Sequence, residues 1–321
     1  MQTMRSVVMI FSFGLMVLGA DGVSSQGYPE KPIRIITAGI GGSSDFTARL
    51  IAEGISAPLG QQVVVDNRPS GVIPGQVASQ APPDGYTLLV GSNSFWLQPL
   101  IRDDVPYDPI KNFSPIAAVA SSPSFLAVHP SLPVKSVREL IALAKARPGE
   151  LNYASGTTGG ADHLAAELFN HMAGVKIVRV SYSSGSLRMA SLINGEVQLI
   201  FGTGGTVSRY IKSGRLRVLA VTSAKPFSLA PELPTVAASG VPDYEAVQIL
   251  GIWAPANTPA TIINRLNREI VQAINRAEIK DRFLNSGVEI VGSSPEQFAA
   301  IIASDTAKLG KMIEAVGIRA K

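Results

Sequence analysis

Cysteine is absent from the 321 residues of this chain, histidine occurs only three times, and charged residues make up only 16%. Without a thiol there can be no disulfide, no thiolate metal site and no cysteine nucleophile. The net charge of +4 comes from scattered lysines and arginines. Because no basic stripe with interleaved aromatic residues occurs, the composition argues against a nucleic-acid partner.

Long apolar runs are also missing after the first residues of the chain. Near the N-terminus, Arg5 precedes an apolar run over residues 7–18, and small residues follow it. This order is typical of a secretory signal peptide, and the run is short for a membrane span. We therefore expect residues 1–25 to be a signal peptide and the mature protein to be exported. The alternative is an uncleaved anchor at the membrane surface.

Motifs for catalysis and for cofactor binding are absent as well. The chain has no G-x-S-x-G elbow, no G-K-[ST] phosphate loop and no complete dinucleotide fingerprint. His163, Glu167 and His171 recur every four residues on one predicted helix, but the two histidines would lie roughly 12 Å apart along its axis. We expect no catalytic residue, no metal site and no cofactor.

The most informative stretch lies at residues 33–57. An apolar segment over residues 33–37 predicts a strand, and Gly39, Gly41 and Gly42 then predict a tight turn. Ser43 to Asp45 open an amphipathic helix, with Asp45 as a candidate N-cap. The spacing of Phe46, Leu50, Ile51 and Ile55 predicts an apolar face on this helix. Because the N–H groups at a helix start lack partners within the helix, this turn predicts an anion-binding site.

Strand and helix patterns alternate along most of the chain, as in a parallel α/β sheet. The 46% hydrophobic content and the length suggest roughly two domains. Strands predicted over residues 86–90, 151–154, 177–182 and 197–201 each run into small polar residues and glycine. Two extended stretches, residues 116–128 and 247–254, predict a two-stranded hinge between two lobes. A capping box is predicted at Ser294 to Gln297.

These segments occur in an order that resembles a known family. YPEKPIRIITAGIGGSSDFTARLIAEGIS, PPDGYTLLVGS, HLAAELFNHMAGV and IKSGRLRVLAVTSAK are similar to segments of the Bug-type, TctC-like solute-binding receptors of tripartite tricarboxylate transporters. The resemblance extends from Tyr28 to the C-terminus. It implies an α/β two-lobed Venus-flytrap fold, like a type II periplasmic binding protein, with two Rossmann-like lobes. We expect lobe 1 to comprise residues 28–125 and 247–321, and lobe 2 to comprise residues 126–246.

The resemblance also implies a function. Receptors of this family are periplasmic, bind small carboxylates and have no catalytic activity, so we expect a monomer that captures a di- or tricarboxylate or an aromatic carboxylate. Its partners would be the membrane components of a transporter, or a sensor. The alternative from another class is an exported α/β hydrolase that acts on a carboxylate and depends on His163 or Ser43.

Site residues are carried over by position. The resemblance implies ligand contacts at Gly41, Gly42, Ser43, Asp45, Ser92, Gly156, Thr157, Thr158 and Tyr182. The strand ends add Asn93, Gly202 and Thr203. Gly202 stands where the family usually has an acidic residue, which makes an amino-acid ligand less favoured. Arg188 is an added cation that is either a partner for a second carboxylate or a surface arginine.

Overall fold

A computed structural model of the chain describes residues 27–69, 71–204, 207, 210 and 213–319. The predicted signal peptide, residues 1–25, lies outside the described residues. Within these ranges the chain is a mixed α/β protein whose ten strands form one curled sheet. The strand order along the sheet is β2 (Val63–Asn67), β1 (Ile33–Thr37), β3 (Thr87–Ser92), β9 (Val247–Pro255), β4 (Phe113–Val128), β7 (Leu199–Thr203), β5 (Asn152–Ser155) and β6 (Val178–Ser181). Strands β8 (Arg217–Val221) and β10 (Glu289–Ile290) also pair with β4. No helix of the described part is long and apolar enough to cross a membrane.

The N-terminal part of the sheet has the βαβαβ order predicted from the sequence. Strand β1 is central and pairs in parallel with both β2 and β3. The elements are β1 (Ile33–Thr37), α1 (Ser43–Leu59), β2 (Val63–Asn67), α2 (Ile73–Ser79), β3 (Thr87–Ser92) and α3 (Asn93–Ile101). On α1 the predicted apolar face is confirmed, because Leu50, Ile51 and Ile55 are fully buried.

A second parallel group forms the middle of the chain. Here β5 is central and pairs in parallel with β6 and β7. The elements are α4 (Val137–Ala146), β5 (Asn152–Ser155), α5 (Ala161–Ala173), β6 (Val178–Ser181), α6 (Gly185–Ile193), β7 (Leu199–Thr203) and β8 (Arg217–Val221).

Two extended segments connect the groups. Strand β4 (Phe113–Val128) pairs with β9 (Val247–Pro255) as far as Pro123, and from Ser124 onward it pairs with β7 and β8. The chain leaves the second group and enters the second extended segment at Ala246, whose N–H donates to the carbonyl of Thr222 at 2.9 Å. The fold is therefore two-lobed, and the two extended segments that join the lobes lie side by side.

Helices complete the C-terminal part: α7 (Ala260–Ile274), α8 (Ala277–Asn285) and α9 (Pro295–Val316), with the short strand β10 (Glu289–Ile290) between α8 and α9. The capping box predicted at Ser294 is confirmed, because its hydroxyl accepts from the N–H of Gln297 and the Gln297 side chain accepts from the N–H of Ser294. Helix α9 packs against α3, β4 and α5, and therefore lies along both groups.

Candidate functional site

The carboxyl ends of the parallel strands face a cleft between the two lobes, which is where open α/β sheets bind ligands. Two adjoining cavities of about 660 and 740 Å³ occupy this cleft. Gly42, Ala161, Arg188 and Gln248 line both of them. The walls thus come from the first glycine turn, from the start of α5, from α6 and from the hinge strand β9.

The side chain of Asp45 stabilises the first glycine turn by hydrogen bonds. One carboxylate oxygen of Asp45 accepts the N–H of Gly41 at 3.0 Å, and the other accepts the Asn67 side-chain amide at 2.8 Å. Burial alone would raise the pKa of the Asp45 carboxyl, but hydrogen bonds from Gly41, Asn67 and Arg49 outweigh it and keep the pKa below its ordinary value. The N-cap of α1 is Gly42, so the prediction of Asp45 as N-cap is wrong. Asp45 is the third residue of the helix and bonds back to the turn.

Two serines start helix α1 at the edge of the cleft. Within the described residues, the backbone N–H groups of Ser43 and Ser44 have no hydrogen-bond partner. The Ser43 hydroxyl donates to the side-chain oxygen of Gln248 at 3.0 Å, which ties the helix start to the hinge strand. The site therefore presents unpaired donors and the positive end of a helix dipole to its cavity.

The second glycine loop, residues 156–160, lies on the opposite wall and is fixed by side chains around it. The N–H of Gly156 donates to Asp162 at 2.7 Å, and the N–H of Gly159 donates to Nδ1 of His163 at 3.0 Å. Arg179 donates to Ser155, to Thr158 and to the carbonyl of Gly156 at 2.7 to 3.0 Å. These bonds leave Thr157 and Thr158 at the cavity surface.

His163 stabilises this loop by accepting a hydrogen bond from it. Burial, together with the nearby Arg179 charge, lowers the pKa of His163 to about 4, so the imidazole is neutral near pH 7. Its Nδ1 is already occupied by the Gly159 N–H. Among the described residues, no cluster of three or more His, Asp or Glu side chains could hold a metal ion.

Arg188 on α6 reaches the cleft. It lines both cavities, and its Nη1 is paired with the carboxylate of Asp162. Asp162 in turn is the acceptor for the Gly156 N–H, so one carboxylate connects the second glycine loop with this arginine.

The structure brings most of the expected site residues to the cleft. Gly41, Gly42, Ser43, Gly202 and Thr203 line the first cavity, and Ser92, Thr157 and Thr158 line the second. Asp45, Gly156 and Tyr182 line neither of these two cavities. The Gly156 N–H is taken by Asp162, and the Tyr182 side chain packs against the core of the second lobe. The Asn93 amide donates to the carbonyl of Val247 at 3.0 Å and lies at a small cavity behind the hinge.

Sequence reasoning missed Gln248, Ser124 and Asp162. Gln248 is a polar residue in an otherwise apolar strand, which was a usable signal. Asp162 follows the second glycine loop as Asp45 follows the first, so the repetition of an acidic residue after each glycine turn was a second signal.

Comparison with known proteins agrees with the geometry. A two-lobed α/β fold with strand ends facing an interlobe cleft is an arrangement that binds small molecules. Residues 47–318 match the tripartite tricarboxylate transporter family receptor family. The chain belongs to this family, as the resemblance predicted.

Individual relatives support the assignment. Protein BugT of Bordetella pertussis is 33% identical over 310 residues, which cover 94% of each chain. The structure described as R. palustris Rpa4515 with adipate is 33% identical, covers 91% of this chain and 99% of that chain, and has a TM-score of 0.80. The periplasmic binding protein BugD is 26% identical, with coverage of 92% and 100% and a TM-score of 0.78. The family is one of transporter receptors, and BugD is described as a periplasmic binding protein.

Proposed function

We propose that this protein captures a small organic anion, a di- or tricarboxylate or an aromatic carboxylate, in the cleft between its lobes. It does so as an exported monomer in the periplasm and passes the ligand to the membrane components of a tripartite tricarboxylate transporter. The observation that carries the proposal is the pair of adjoining cavities lined by small residues, hydroxyls and a helix start from both lobes.

The chemistry of the walls suits an anion. The unpaired N–H groups of Ser43 and Ser44 provide charge-assisted donors at the positive end of α1. Across the cleft, the hydroxyls of Thr157 and Thr158 offer further donors. A carboxylate held at α1 would contact both walls only when the lobes approach each other. Its binding therefore shifts the population toward the closed state, by as much as the ligand prefers that state.

The carboxylate class has support from a relative, because Rpa4515, at 33% identity, is described with adipate. Delivery to a transporter has support from the family, whose members are tripartite transporter receptors. Export has support from the N-terminal sequence pattern and from BugD, which is described as a periplasmic binding protein.

The test is a substitution that fills the proposed anion-binding site at the start of α1. Ser43→Tyr places a large side chain at the start of α1, inside the first cavity, and should abolish binding of every carboxylate that the unaltered protein binds. Ser304→Tyr, on the exposed surface of α9, is the matched control and should bind normally. Equal affinities of the two variants, measured by titration calorimetry, would place the binding site elsewhere.

A further inference from the structure

Gln248 is a polar residue at the end of an apolar row on strand β9. Side chains of a strand alternate between the two faces of a sheet, and on the face of β9 that packs with α1 the residues Leu250, Ile252 and Ala254 are fully buried. Gln248 is the next residue of this row and is half-buried. Because burying part of an amide costs free energy unless its hydrogen bonds are made, its bonds rather than its packing account for a glutamine here.

The Gln248 side chain lies both at the cleft and at the hinge. It lines the two large cavities and the small cavity behind the hinge, and the other residue common to these three cavities, Ala161, has no polar side chain. On β4 its pairing partner is Ser122, and the pairing of β4 with β9 ends one residue later, at Pro123. Gln248 is therefore placed where a ligand and the connection between the lobes meet.

The side-chain oxygen of Gln248 occupies the hydroxyl of Ser43. The Ser43 hydroxyl donates to Oε1 of Gln248 at 3.0 Å, between residues that are 205 positions apart in the chain. A serine hydroxyl has a single proton to donate. While it donates to Gln248, the Ser43 Oγ presents only lone pairs to the cleft and cannot donate to a ligand.

An anion at the start of α1 would meet this same oxygen. The backbone N–H groups of Ser43 and Ser44 have no partner among the described residues, and the Ser43 nitrogen and Oγ are joined through Cα and Cβ alone. A carboxylate oxygen at these N–H groups therefore lies beside the Ser43 Oγ. Lone pairs of the hydroxyl would repel it, whereas the hydroxyl proton would make a charge-assisted bond that is stronger than a bond between neutral groups.

We propose that Gln248 lowers the affinity of the cleft by competing with the ligand for the hydrogen bond of the Ser43 hydroxyl. No proton is transferred, because the hydroxyl only rotates about its C–O bond, from Gln248 toward a bound carboxylate and back when the ligand leaves. The returning bond replaces the one that Ser43 loses, so Gln248 eases release of the ligand. The inference rests on the proposed function and adds a residue that regulates the same cleft.

The first experiment removes the competitor. Gln248→Met keeps the length of the side chain and removes its amide. Calorimetry on protein that has been unfolded and refolded is carried out with adipate, malate, citrate and benzoate, and the acid that the unaltered protein binds most tightly is the probe. The variant should bind this probe about two- to tenfold more tightly, as expected from the net contribution of one neutral hydrogen bond.

A matched control makes the same chemical change away from the cleft. Gln272 lies on the exposed surface of α7, and Gln272→Met should leave the affinity for the probe unchanged. If Gln248→Met does not fold, Gln248→Leu removes the same amide and should give the same gain.

The second experiment removes the hydroxyl for which Gln248 and the ligand compete. In a Ser43→Ala protein there is no such hydroxyl, so adding Gln248→Met should no longer raise the affinity. Comparison of the two single variants, the double variant and the unaltered protein isolates the coupling between Ser43 and Gln248. A role of Gln248 in packing alone would change the affinity equally with and without the hydroxyl.

The outcomes separate this inference from the proposed function. Weaker binding by Gln248→Met would show that the amide itself contacts the ligand, and no gain, or an equal gain in the Ser43→Ala protein, would show that the hydroxyl is not shared. Each of these results overturns the inference and leaves the receptor function standing, because a carboxylate is still bound. If the unaltered protein binds no carboxylate of any kind, the proposed function fails and the inference fails with it.

Discussion

Asp45 and Gly41 are joined by a hydrogen bond of 3.0 Å that runs from the turn to the helix it precedes, and the carboxylate is buried at its base. The same carboxylate accepts from Asn67 of β2, so it ties the first glycine turn to helix α1 and to strand β2. The shape of the anion-binding site therefore depends on a residue that does not line either large cavity.

Asp45→Ala should weaken carboxylate binding without removing any group that contacts the ligand. The change leaves the Gly41 N–H and the Asn67 amide without their acceptor, which should reduce the free energy of unfolding by about 1–3 kcal/mol. Urea unfolding and calorimetry measure the two effects. An affinity equal to that of the unaltered protein would contradict this role for Asp45.

Gly159 has a backbone φ of 78° and lies against Ile101 of α3. In Gly159→Ala the new Cβ would lie 2.5 Å from Cδ1 of Ile101, in a conformation that side chains rarely adopt. We expect a loss of about 2–4 kcal/mol in the free energy of unfolding from strain and overpacking together.

The matched control for this change is Gly174→Ala at the end of α5, where φ is 60° and no atom lies within 4 Å of the new Cβ. Strain alone should make that variant lose only about 1 kcal/mol. If thermal unfolding shows equal losses for the two variants, the contact with Ile101 contributes nothing.

His163 should make stability depend on pH in the mildly acidic range. The folded-state pKa of about 4 lies below the ordinary value of 6.5, because burial and the Arg179 charge disfavour the imidazolium. Between these values the unfolded chain binds more protons, so the free energy of unfolding should fall as the pH drops from about 6.5 to about 4, by at most about 3 kcal/mol.

The variant that tests this is His163→Asn, whose amide oxygen can accept the Gly159 N–H but does not titrate. Its unfolding free energy, followed by urea titration across this pH range, should change less steeply than that of the unaltered protein. Equal pH dependence of the unfolding free energy in the two proteins would show that a group other than His163 causes it.

Asp305 on α9 should have the opposite effect. Burial, only partly offset by bonds from Asn93 and Trp96, raises the pKa of its carboxyl to about 6 from an ordinary value of 3.8. Because the folded state then binds more protons between these values, this group lowers stability as the pH rises through them.

Asp305→Asn keeps an oxygen that can accept from Nε1 of Trp96, which donates to Asp305 at 3.1 Å. The variant should be more stable than the unaltered protein above pH 6, by at most about 3 kcal/mol, and should gain little at pH 4. Thermal unfolding at pH 8 and at pH 4 checks this. A variant that is less stable than the unaltered protein at pH 8 would contradict it.

Local patterns predicted the fold well. The apolar run of β1, the glycine turn and the spacing of Leu50, Ile51 and Ile55 depend on near neighbours in sequence, and the structure confirms them. The position of the cleft at the strand ends followed from the parallel order of β1 and β3.

The side-chain contacts of the site were less predictable, because they join residues far apart in the chain. The bond from Ser43 to Gln248 spans 205 residues, and Arg188 meets Asp162 across 26. Tyr182 was expected to contact the ligand; its side chain is partly buried against the core of the second lobe, and Ser183 and Gly185, from the turn after β6, line the first cavity. Neither propensity nor spacing contains this information.

The most direct test of the account is calorimetry on the mature protein, unfolded and refolded to strip carried-over ligand, against a panel of mono-, di- and tricarboxylates, aromatic acids and acidic amino acids. The account predicts saturable one-to-one binding of a carboxylate that is recovered chemically unchanged after incubation. Absence of binding across the panel, or conversion of a bound acid to a product, would contradict a receptor for small organic anions.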